Sequence, residues 1–354
     1  MTELELKQLL SRITRPDETA RTAAHAHWAS LAKPLGGLGR LETMLEDAAA
    51  LTGTAELVFS RRAVLVLCAD NGVVAQGVSQ TDLSVTRAVA ENLAARRTSV
   101  CQMAKTARCE VVPVDLGMAG EPVPGVQNCR IAAGTADFTT GPAMTRQQAV
   151  DAIAAGMGLV RAQKAAGVQL LATGEMGIGN TTTAAAVTAV LLGRRVEEVT
   201  GRGAGLSDEG LERKIAVIRR AIEVNAPDPR DPLDVLSKVG GLDIAGMAGF
   251  YLGAALHHVP VVLDGAISAA AALLAVRLCP DAAKALIASH RSAEPSSGLL
   301  LDALGLRPIV SADLKLGEGT GAVTIMPMLD MAMSIYRDMA TFQGLGIPPY
   351  RRQS

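Results

Sequence analysis

Short, wholly apolar runs separated by longer segments constrain the fold of this chain more than any other feature. The first run, residues 63–69, is followed at once by Asp70 and Gly72. A run that is apolar at every position is typical of a strand buried on both faces of a parallel sheet. Similar runs follow at residues 111–116, 168–172, 259–263, 285–288 and 308–310.

Segments with the pattern of helices separate most of these runs. The clearest are residues 83–105, 145–165, 206–224 and 318–339. Thr145 and Gln148 predict a capping box at the start of the second of these helices. Strands that alternate with helices predict an α/β fold with a doubly wound, mostly parallel sheet and flanking helices.

The two ends of the chain are predicted to form a small helical subdomain beside the sheet. Residues 1–52 are predicted to be its N-terminal helices, interrupted by a loop at residues 33–42 that is rich in Gly and contains Pro. Residues 53–325 are predicted to be the parallel-sheet catalytic domain. Residues 326–354 are predicted to be a C-terminal helix and tail that join the small subdomain.

Composition argues against several classes of partner. The net charge is −1 and no long basic run is present, so nucleic-acid binding is not expected. The longest nearly apolar stretch, residues 265–276, is too short to span a bilayer, and the polar amino terminus does not resemble a signal peptide. We therefore expect a cytoplasmic protein without membrane contact. The 5 cysteines include no C-x-x-C pair and no carboxylate cluster is visible, so no metal and no cofactor is expected.

Two glycine-rich segments are candidates for binding a phosphate group. In the first, Gly177, Asn180 and Thr181 lie between a predicted strand and an Ala-rich helix, where backbone N–H groups favour anions. The second is residues 201–205, with Gly203, and it opens the helix that contains Lys214. A plain strand–helix turn and a flexible linker are the alternative interpretations of these two segments.

Several carboxylates are candidates for chemistry or for ribose binding. Glu318 lies between two glycines at a loop–helix junction, which suits an accessible general base but also a carboxylate that stabilises a helix N-terminus. Glu175, Asp243 and Asp264 lie at predicted strand ends or helix starts, as does Asp70. They could bind ribose hydroxyls or could cap local structure.

Taken together, several motifs resemble those of one family. Residues 33–42 resemble its K-P-x-G-S-L-G-R-L-E motif, and residues 68–73 resemble C-A-D-H-G-V. Residues 174–182 are similar to its glycine-rich nucleotide loop, residues 234–243 to D-V-L-S-K-V-G-G-F-D, and residues 316–319 also match. The family is nicotinate-nucleotide:dimethylbenzimidazole phosphoribosyltransferase, of cobamide lower-ligand activation. The resemblance covers nearly the whole chain and implies the parallel-sheet fold and a homodimer.

The resemblance also implies roles for individual residues. Glu318 matches the family's catalytic base. Residues in the segments similar to its nucleotide and phosphate contacts are Glu175, Gly177, Asn180, Gly203 and Lys214. Residues at positions that line the base pocket in the family are Thr81, Val89, Met176 and Leu316.

The implied reaction moves 5-phosphoribose from nicotinate mononucleotide to a lower-ligand base. The leaving pyridinium departs as a neutral ring, so one general base suffices and no general acid is needed, unlike glycoside hydrolysis. Asn71 replaces a frequent His, Val89 an expected Gln and Ala266 an expected Phe. These departures predict an altered base pocket that accepts another benzimidazole, a purine or a phenol.

Two other functions remain open from the sequence. One is a base-exchanging phosphoribosyltransferase outside cobamide synthesis. The other is a non-catalytic nucleotide-binding sensor that kept the fold. An accessible carboxylate at Glu318 argues against the sensor, because binding alone does not need a base.

Overall fold

The fold centres on a parallel sheet. A computed structural model describes residues 1–350 of the chain. Within them, a 6-stranded sheet has the order β3-β2-β1-β4-β5-β6, and every neighbouring pair in it is parallel. A separate parallel pair joins β7 and β8. The strands are β1 Arg62–Ala69, β2 Glu110–Gly117, β3 Gln127–Asn128, β4 Leu170–Met176, β5 Val261–Leu263, β6 Leu286–Ala288, β7 His290–Arg291 and β8 Val310–Ser311.

Helices cover both faces of the sheet. Side chains of β1 alternate between two cores, with Leu65 and Leu67 in one and Val64 and Val66 in the other. The helices are α1 Glu3–Leu10, α2 Glu18–Ser30, α3 Arg40–Thr52, α4 Ser84–Ala94, α5 Ser99–Thr106, α6 Arg146–Ala165, α7 Asn180–Leu192, α8 Val196–Val199, α9 Asp208–Asn225, α10 Pro232–Val239, α11 Leu242–Leu256, α12 Ala266–Leu278, α13 Ser296–Leu304, α14 Thr320–Thr324 and α15 Met326–Asp338, with short 3₁₀ turns at Gly72–Gln76 and Pro280–Ala285. Among residues 1–350, no helix combines the length and apolarity needed to cross a bilayer.

The strand order creates a crevice between β1 and β4. From β1 the chain proceeds outward to β2 and β3, and it then returns to the other side of β1 as β4. In doubly wound sheets, ligands bind outside the carboxyl ends of the strands at this point of reversal. Leu67 of β1 is paired in register with Glu175 of β4, and Cys68 with Met176. The predicted site residues of β4 therefore lie at the crevice.

Glycines allow two helices on one face of the sheet to approach closely. A Cβ added at Gly156 of α6 would overlap the carbonyl oxygen of Gly246 in α11, and one at Gly249 would overlap the carbonyl oxygen of Ile153. The backbones of α6 and α11 are thus in direct contact. This packing explains why the chain can form a large core with only 2% aromatic residues.

The predicted α/β fold with a doubly wound parallel sheet is confirmed, and so is the capping box of Thr145 and Gln148. The prediction for residues 308–310 was wrong in one respect, because β8 pairs with β7 outside the main sheet. Gly174 and Glu175 lie within β4 rather than after it. The short strand β3 was not predicted.

Two predicted helices are each interrupted. Residues 83–105 form α4 and α5, separated by a turn in which Arg96 has φ +60°. Residues 318–339 begin as a helix only at Thr320, and the segment divides at Ile325 into α14 and α15. Pro327 follows in the first turn of α15, where its missing N–H costs nothing.

The N-terminal helices separate into two groups. Leu6 and Leu10 of α1 belong to the same core cluster as Ile153 of α6. Trp28 of α2, by contrast, packs edge-on against Tyr336 of α15 with ring centroids 4.9 Å apart. The structure therefore places α1 with the helices of the sheet, and places α2, α3 and α15 together on the other face.

Candidate active site

A cavity of about 260 Å³ opens at the carboxyl edge of the sheet, beside β4 and β5. Its walls are the end of β4, the start of α7, the loop before α9, the β5–α12 turn, the segment after β7 and the loop before α14. The predicted site residues that line it are Glu175, Met176, Gly177, Asn180, Thr181, Gly203, Asp264, Leu316 and Glu318. The cavity thus joins residues that are far apart in sequence.

Four predicted residues do not line this cavity. They are Thr81, Val89, Lys214 and Asp243. Thr81 is exposed and Val89 is half-buried on α4, in the same apolar cluster as Met176. The α4 helix nevertheless adjoins the cavity, because Thr86 accepts a hydrogen bond from the backbone N–H of Ile178 at 3.1 Å. No feature of the sequence had indicated Thr86.

Glu318 is presented to the cavity by a strained loop. Its φ is +60°, and those of Gly317 and Gly319 are +84° and +90°. A left-handed conformation is uncommon for a residue with a side chain and persists where the surroundings enforce it. The loop lies directly on Gly174 of β4, where any Cβ would overlap the backbone of Glu318. Gly174 therefore allows the loop to lie close to the sheet.

The carboxylate of Glu318 lies at the start of α5. Its Oε2 accepts a hydrogen bond from the backbone N–H of Val100 at 3.2 Å. An N–H in the first turn of a helix has no partner within the helix, and the helix dipole favours a negative charge there. The half-buried Glu318 is thus held as a carboxylate acceptor that still faces the cavity. The contact depends on the break between α4 and α5, which the sequence did not reveal.

Glu175, Asn180 and Asp243 form a buried network below the cavity. The amide Nδ2 of Asn180 donates to Glu175 and, at 3.1 Å, to Oδ2 of Asp243. Burial raises the pKa of Glu175 to about 8 and that of Asp243 to about 6, although the Asn180 bond opposes the shift. Asp243 is fully buried next to Asn180 and does not line the cavity, so its contact with a bound molecule stays a prediction.

Lys214 supports the cavity wall from behind. Its Nζ donates to Oγ1 of Thr181 at 2.9 Å and to the backbone carbonyl of Gly201 at 3.0 Å. Burial lowers the pKa of this fully buried amine to about 8, opposed by the charge of Glu294. The backbone of Gly203 lies over Thr181 and near the lysine. The start of α7 and the loop before α9 therefore meet at the buried amine of Lys214, behind this part of the cavity wall.

Asp264 lies at the end of β5, and both of its carboxylate oxygens have partners. Its Oδ2 accepts from the N–H of Gly319 at 3.2 Å, and its Oδ1 accepts from the N–H of Ala322 at 3.1 Å. Burial raises the pKa of Asp264, while the nearby His290 opposes this. His290 and Ser292 also line the cavity. In the sequence, the position of His290 just after the apolar run at residues 285–288 is the signal that points to it.

Asn71 and Ala266, two residues that differ from the family motifs, lie in different parts of the site. Asn71 is buried below the glycine-rich loop, where its Oδ1 accepts from the hydroxyl of Thr183 at 2.9 Å. Ala266 lines the cavity directly. Asp70, next to Asn71, accepts from the N–H of Ala119 at 2.8 Å and lies outside the lining. Ala266 is thus the departure that changes the wall of the cavity.

Comparisons with known proteins agree with this geometry. A family model described as phosphoribosyltransferase matches residues 13–347. Nicotinate-nucleotide–dimethylbenzimidazole phosphoribosyltransferase of Acetivibrio thermocellus is 46% identical over 325 residues, which are 92% of this chain and 93% of that protein. The protein of the same name from Desulforamulus reducens is 45% identical over 345 residues, 97% of this chain and 98% of that one. The crystal structure of CobT from Thermus thermophilus superimposes with a TM-score of 0.88 at 43% identity, covering 94% of this chain and all of that one (100%).

The fold, the cavity and these matches define an enzyme of the phosphoribosyltransferase class, which transfers a pentosyl group. Within that class, the chain belongs to the nicotinate-nucleotide–dimethylbenzimidazole phosphoribosyltransferase family.

Proposed function

We propose that this enzyme transfers 5-phosphoribose from nicotinate mononucleotide to a benzimidazole-like base, giving an α-riboside phosphate and nicotinate for cobamide assembly. The names of the relatives support both substrates. The observation that carries the proposal is the position of Glu318, a carboxylate on the cavity wall within the same lining as Asn180, Thr181 and Gly203. A base and a candidate phosphate site share one cavity.

The chemistry needs one proton acceptor. The C1′–N bond to the pyridinium breaks and its electron pair returns to the ring, so nicotinate leaves without protonation at that nitrogen. The incoming azole attacks C1′ through one nitrogen and loses the proton of the other. Glu318 is the residue that takes this proton, and a positioned base of this kind contributes about 10²–10⁴-fold in rate. Attack opposite the leaving group converts the β-nucleotide into an α-riboside.

Each part of nicotinate mononucleotide has a candidate partner. The phosphate is assigned to the hydroxyl of Thr181 and the backbone near Gly177 and Gly203, with Lys214 supplying positive charge from behind Thr181. The ribose hydroxyls are assigned to Glu175 and Asn180, which line the same cavity as that region and Glu318. A helix N-terminus next to a cation is a suitable site for a phosphate.

The incoming base is assigned to the apolar side of the cavity. Met176 and Leu316 line it there, and Leu316 is 56% exposed. Thr81, just before α4, and Val89 of α4 are assigned to the outer part of this pocket, because Thr86 of the same helix contacts the backbone of Ile178. With Ala266 in the wall and Val89 nearby, the pocket is less aromatic and less polar than the family motifs suggest. We therefore expect other benzimidazoles, purines or phenols to be accepted.

The organisation of the molecule forms part of the proposal. We assign α2, α3 and α15 to the small helical subdomain predicted from residues 1–52 and 326–354, and residues 53–325 to the catalytic domain. The edge-on contact of Trp28 with Tyr336 supports the grouping of these helices. A cytoplasmic homodimer is proposed on the basis of the family resemblance.

The decisive experiment measures nicotinate release from nicotinate mononucleotide by chromatography, with and without dimethylbenzimidazole. Base-dependent release together with an α-riboside phosphate product is the expected result. Absence of release with dimethylbenzimidazole, purines and phenols would contradict the proposed transfer. Competition between mixed bases then tests the altered pocket, and strong preference for dimethylbenzimidazole over all others would show that the departures at Val89 and Ala266 do not matter.

A further inference from the structure

The helix that follows Glu318 is capped by a residue from another part of the chain. The N-cap of α14 is Gly319, which has no side chain with which to cap the helix itself. Gly319 cannot readily be replaced by a capping residue, because its φ is +90° and a Cβ there would press on Val64 of β1. The unpaired N–H groups of the first turn must therefore find an acceptor elsewhere.

Asp264 supplies that acceptor from the end of β5. Its side chain is 6% exposed, and one oxygen accepts from Gly319 while the other accepts from Ala322. The two N–H groups lie on either side of the start of α14, so the carboxylate fixes both the position and the direction of the helix. Gly319 is directly bonded to Glu318, and the same contact thus limits the movement of the Glu318 backbone.

A second contact holds the same turn. The ring of His290 lies against Gly321, where any Cβ would overlap it. The hydroxyl of Ser289 donates to the backbone carbonyl of Asp264 at 3.3 Å and lies 2.9 Å from Nδ1 of His290. Asp264, Ser289 and His290 thus form one buried unit beside the first turn of α14.

We infer that Asp264 is a positioning residue for Glu318. By binding the N–H groups of Gly319 and Ala322, it holds Glu318 in its left-handed conformation with the carboxylate at the N–H of Val100. A residue other than glycine needs such external support to keep a left-handed backbone conformation, because its own side chain disfavours that conformation. The inference rests on the proposed function, in which Glu318 is the base.

The test replaces Asp264 with Asn. The amide keeps one acceptor oxygen but turns an NH₂ group toward the second N–H, which displaces the loop. We expect kcat to fall by about 10²-fold, the effect of a misplacement of roughly 1 Å. The dissociation constant for nicotinate mononucleotide should stay at the wild-type value, because the assigned phosphate and ribose contacts lie on β4, at the start of α7 and in the loop before α9. Unchanged kcat would overturn the inference.

Asp115 offers a matched control. It lies near the end of β2 and is only 1% exposed. Its Oδ1 accepts a hydrogen bond from the N–H of Met118 at 2.8 Å. It does not line the cavity. Asp115→Asn should lower the melting temperature but leave kcat unchanged. A fall in kcat for Asp115→Asn as large as that for Asp264→Asn would overturn the inference, because any buried carboxylate would then have the same effect.

A double-mutant cycle with Glu318→Gln separates positioning from direct contact. If Asp264 acts through Glu318, the double variant should have the same kcat as Glu318→Gln alone. Additive losses would show that Asp264 acts independently on the substrate and would contradict the inference. If Asp264→Asn is active while Glu318→Gln is not, the proposed function stands and only this inference is wrong. Near wild-type activity of Glu318→Gln would remove the base assignment itself.

Asp264→Ser serves as a second variant, because Asn could disturb folding. Its hydroxyl is too short to reach the N–H groups of Gly319 and Ala322 that the two carboxylate oxygens bind. We again expect a loss of kcat, with unchanged binding of nicotinate mononucleotide. If both variants lose that binding, Asp264 supports the fold as a whole and the inference is wrong.

Discussion

At the scale of single residues, three acidic side chains on one cavity differ because their surroundings differ. Glu318 is half-buried and accepts a helix N–H. Glu175 is buried, and burial favours its neutral form even though the hydrogen bond from Asn180, which it shares with Asp243, opposes this. Asp264 accepts two backbone N–H groups. Residue type alone could not have distinguished a base, a neutral acid and a capping group.

Glu318→Gln should remove most of the turnover. The amide cannot accept the proton of the incoming azole, and we expect kcat to fall by about 10²–10⁴-fold. Binding of nicotinate mononucleotide, measured by calorimetry, should be retained. Glu56→Gln, a change at an exposed position, is the control and should behave as wild type. Full activity of Glu318→Gln would show that another group is the base.

Glu175→Gln should stabilise the protein more at pH 8 than at pH 5. The pKa of Glu175 is raised to about 8 in the folded protein from 4.5, so the folded state holds a proton that the unfolded state has lost between these values. Stability of the wild type therefore falls as pH rises through this range, by up to about 1.4 kcal/mol per pH unit for one proton. Glutamine removes this loss because it stays neutral.

Urea unfolding of wild type and Glu175→Gln at several pH values measures the effect. Glu121→Gln, at an exposed position, should show no such trend. A constant difference between Glu175→Gln and wild type across the range would mean that Glu175 is ionised in the folded protein throughout.

At the scale of elements, the site is made by contacts between helices and loops that lie far apart in the sequence. Lys214 reaches from α9 to Thr181 at the start of α7, and Val100 of α5 reaches Glu318 before α14. The first contact joins two side chains, and the second uses a backbone N–H in the first turn of α5, which has no partner within its own helix. The break between α4 and α5 therefore makes that N–H available to Glu318.

Affinity for nicotinate mononucleotide should weaken as pH rises through about 8. The pKa of Lys214 is lowered to about 8 by burial, so the amine loses its charge above that value, and a phosphate group prefers the charged form. Calorimetric titrations between about pH 6.5 and 9 test this, with Lys214→Met as the comparison. Equal pH dependence in Lys214→Met and wild type would exclude Lys214 as the responsible group.

The contact of α6 with α11 predicts opposite effects at two glycines of one helix. Gly156→Ala should destabilise the protein by about 1–3 kcal/mol, because the new methyl overlaps the backbone of α11. Gly158→Ala, where the added methyl meets nothing within 4 Å, should stabilise it by about 0.5–1 kcal/mol through helix propensity. Urea unfolding measures both, and a stabilising Gly156→Ala would disprove the close approach of the two helices.

At the scale of the whole molecule, the strand order determines where the site lies. The order of the strands reverses between β1 and β4, and the cavity opens next to this point, at the carboxyl ends of β4 and β5. All the cavity walls come from the carboxyl side of the sheet or from loops that fold over it. The Glu318 loop completes the cavity because it lies on Gly174, at the middle of the sheet.

The sequence by itself determined the fold class, the positions of most strands and the family. Continuous apolar runs are a local property of buried parallel strands, and long motifs such as residues 33–42 and 174–182 identify relatives without any coordinates. The glycine-rich loop and Glu318 were found in the same way. The rule that the carboxyl ends of parallel strands share an edge accounts for Glu175 of β4 and Asp264 after β5 lining one cavity.

Only the tertiary structure decided which polar groups face the cavity and which support it. Asp243 and Lys214 resemble the lining residues in sequence but are buried behind Asn180 and Thr181. The hydrogen bonds of Asp264 to the Glu318 loop, and of Glu318 to Val100, join residues more than 50 positions apart. Burial and partners at such separations depend on how helices and strands pack, and no local pattern of residues specifies them.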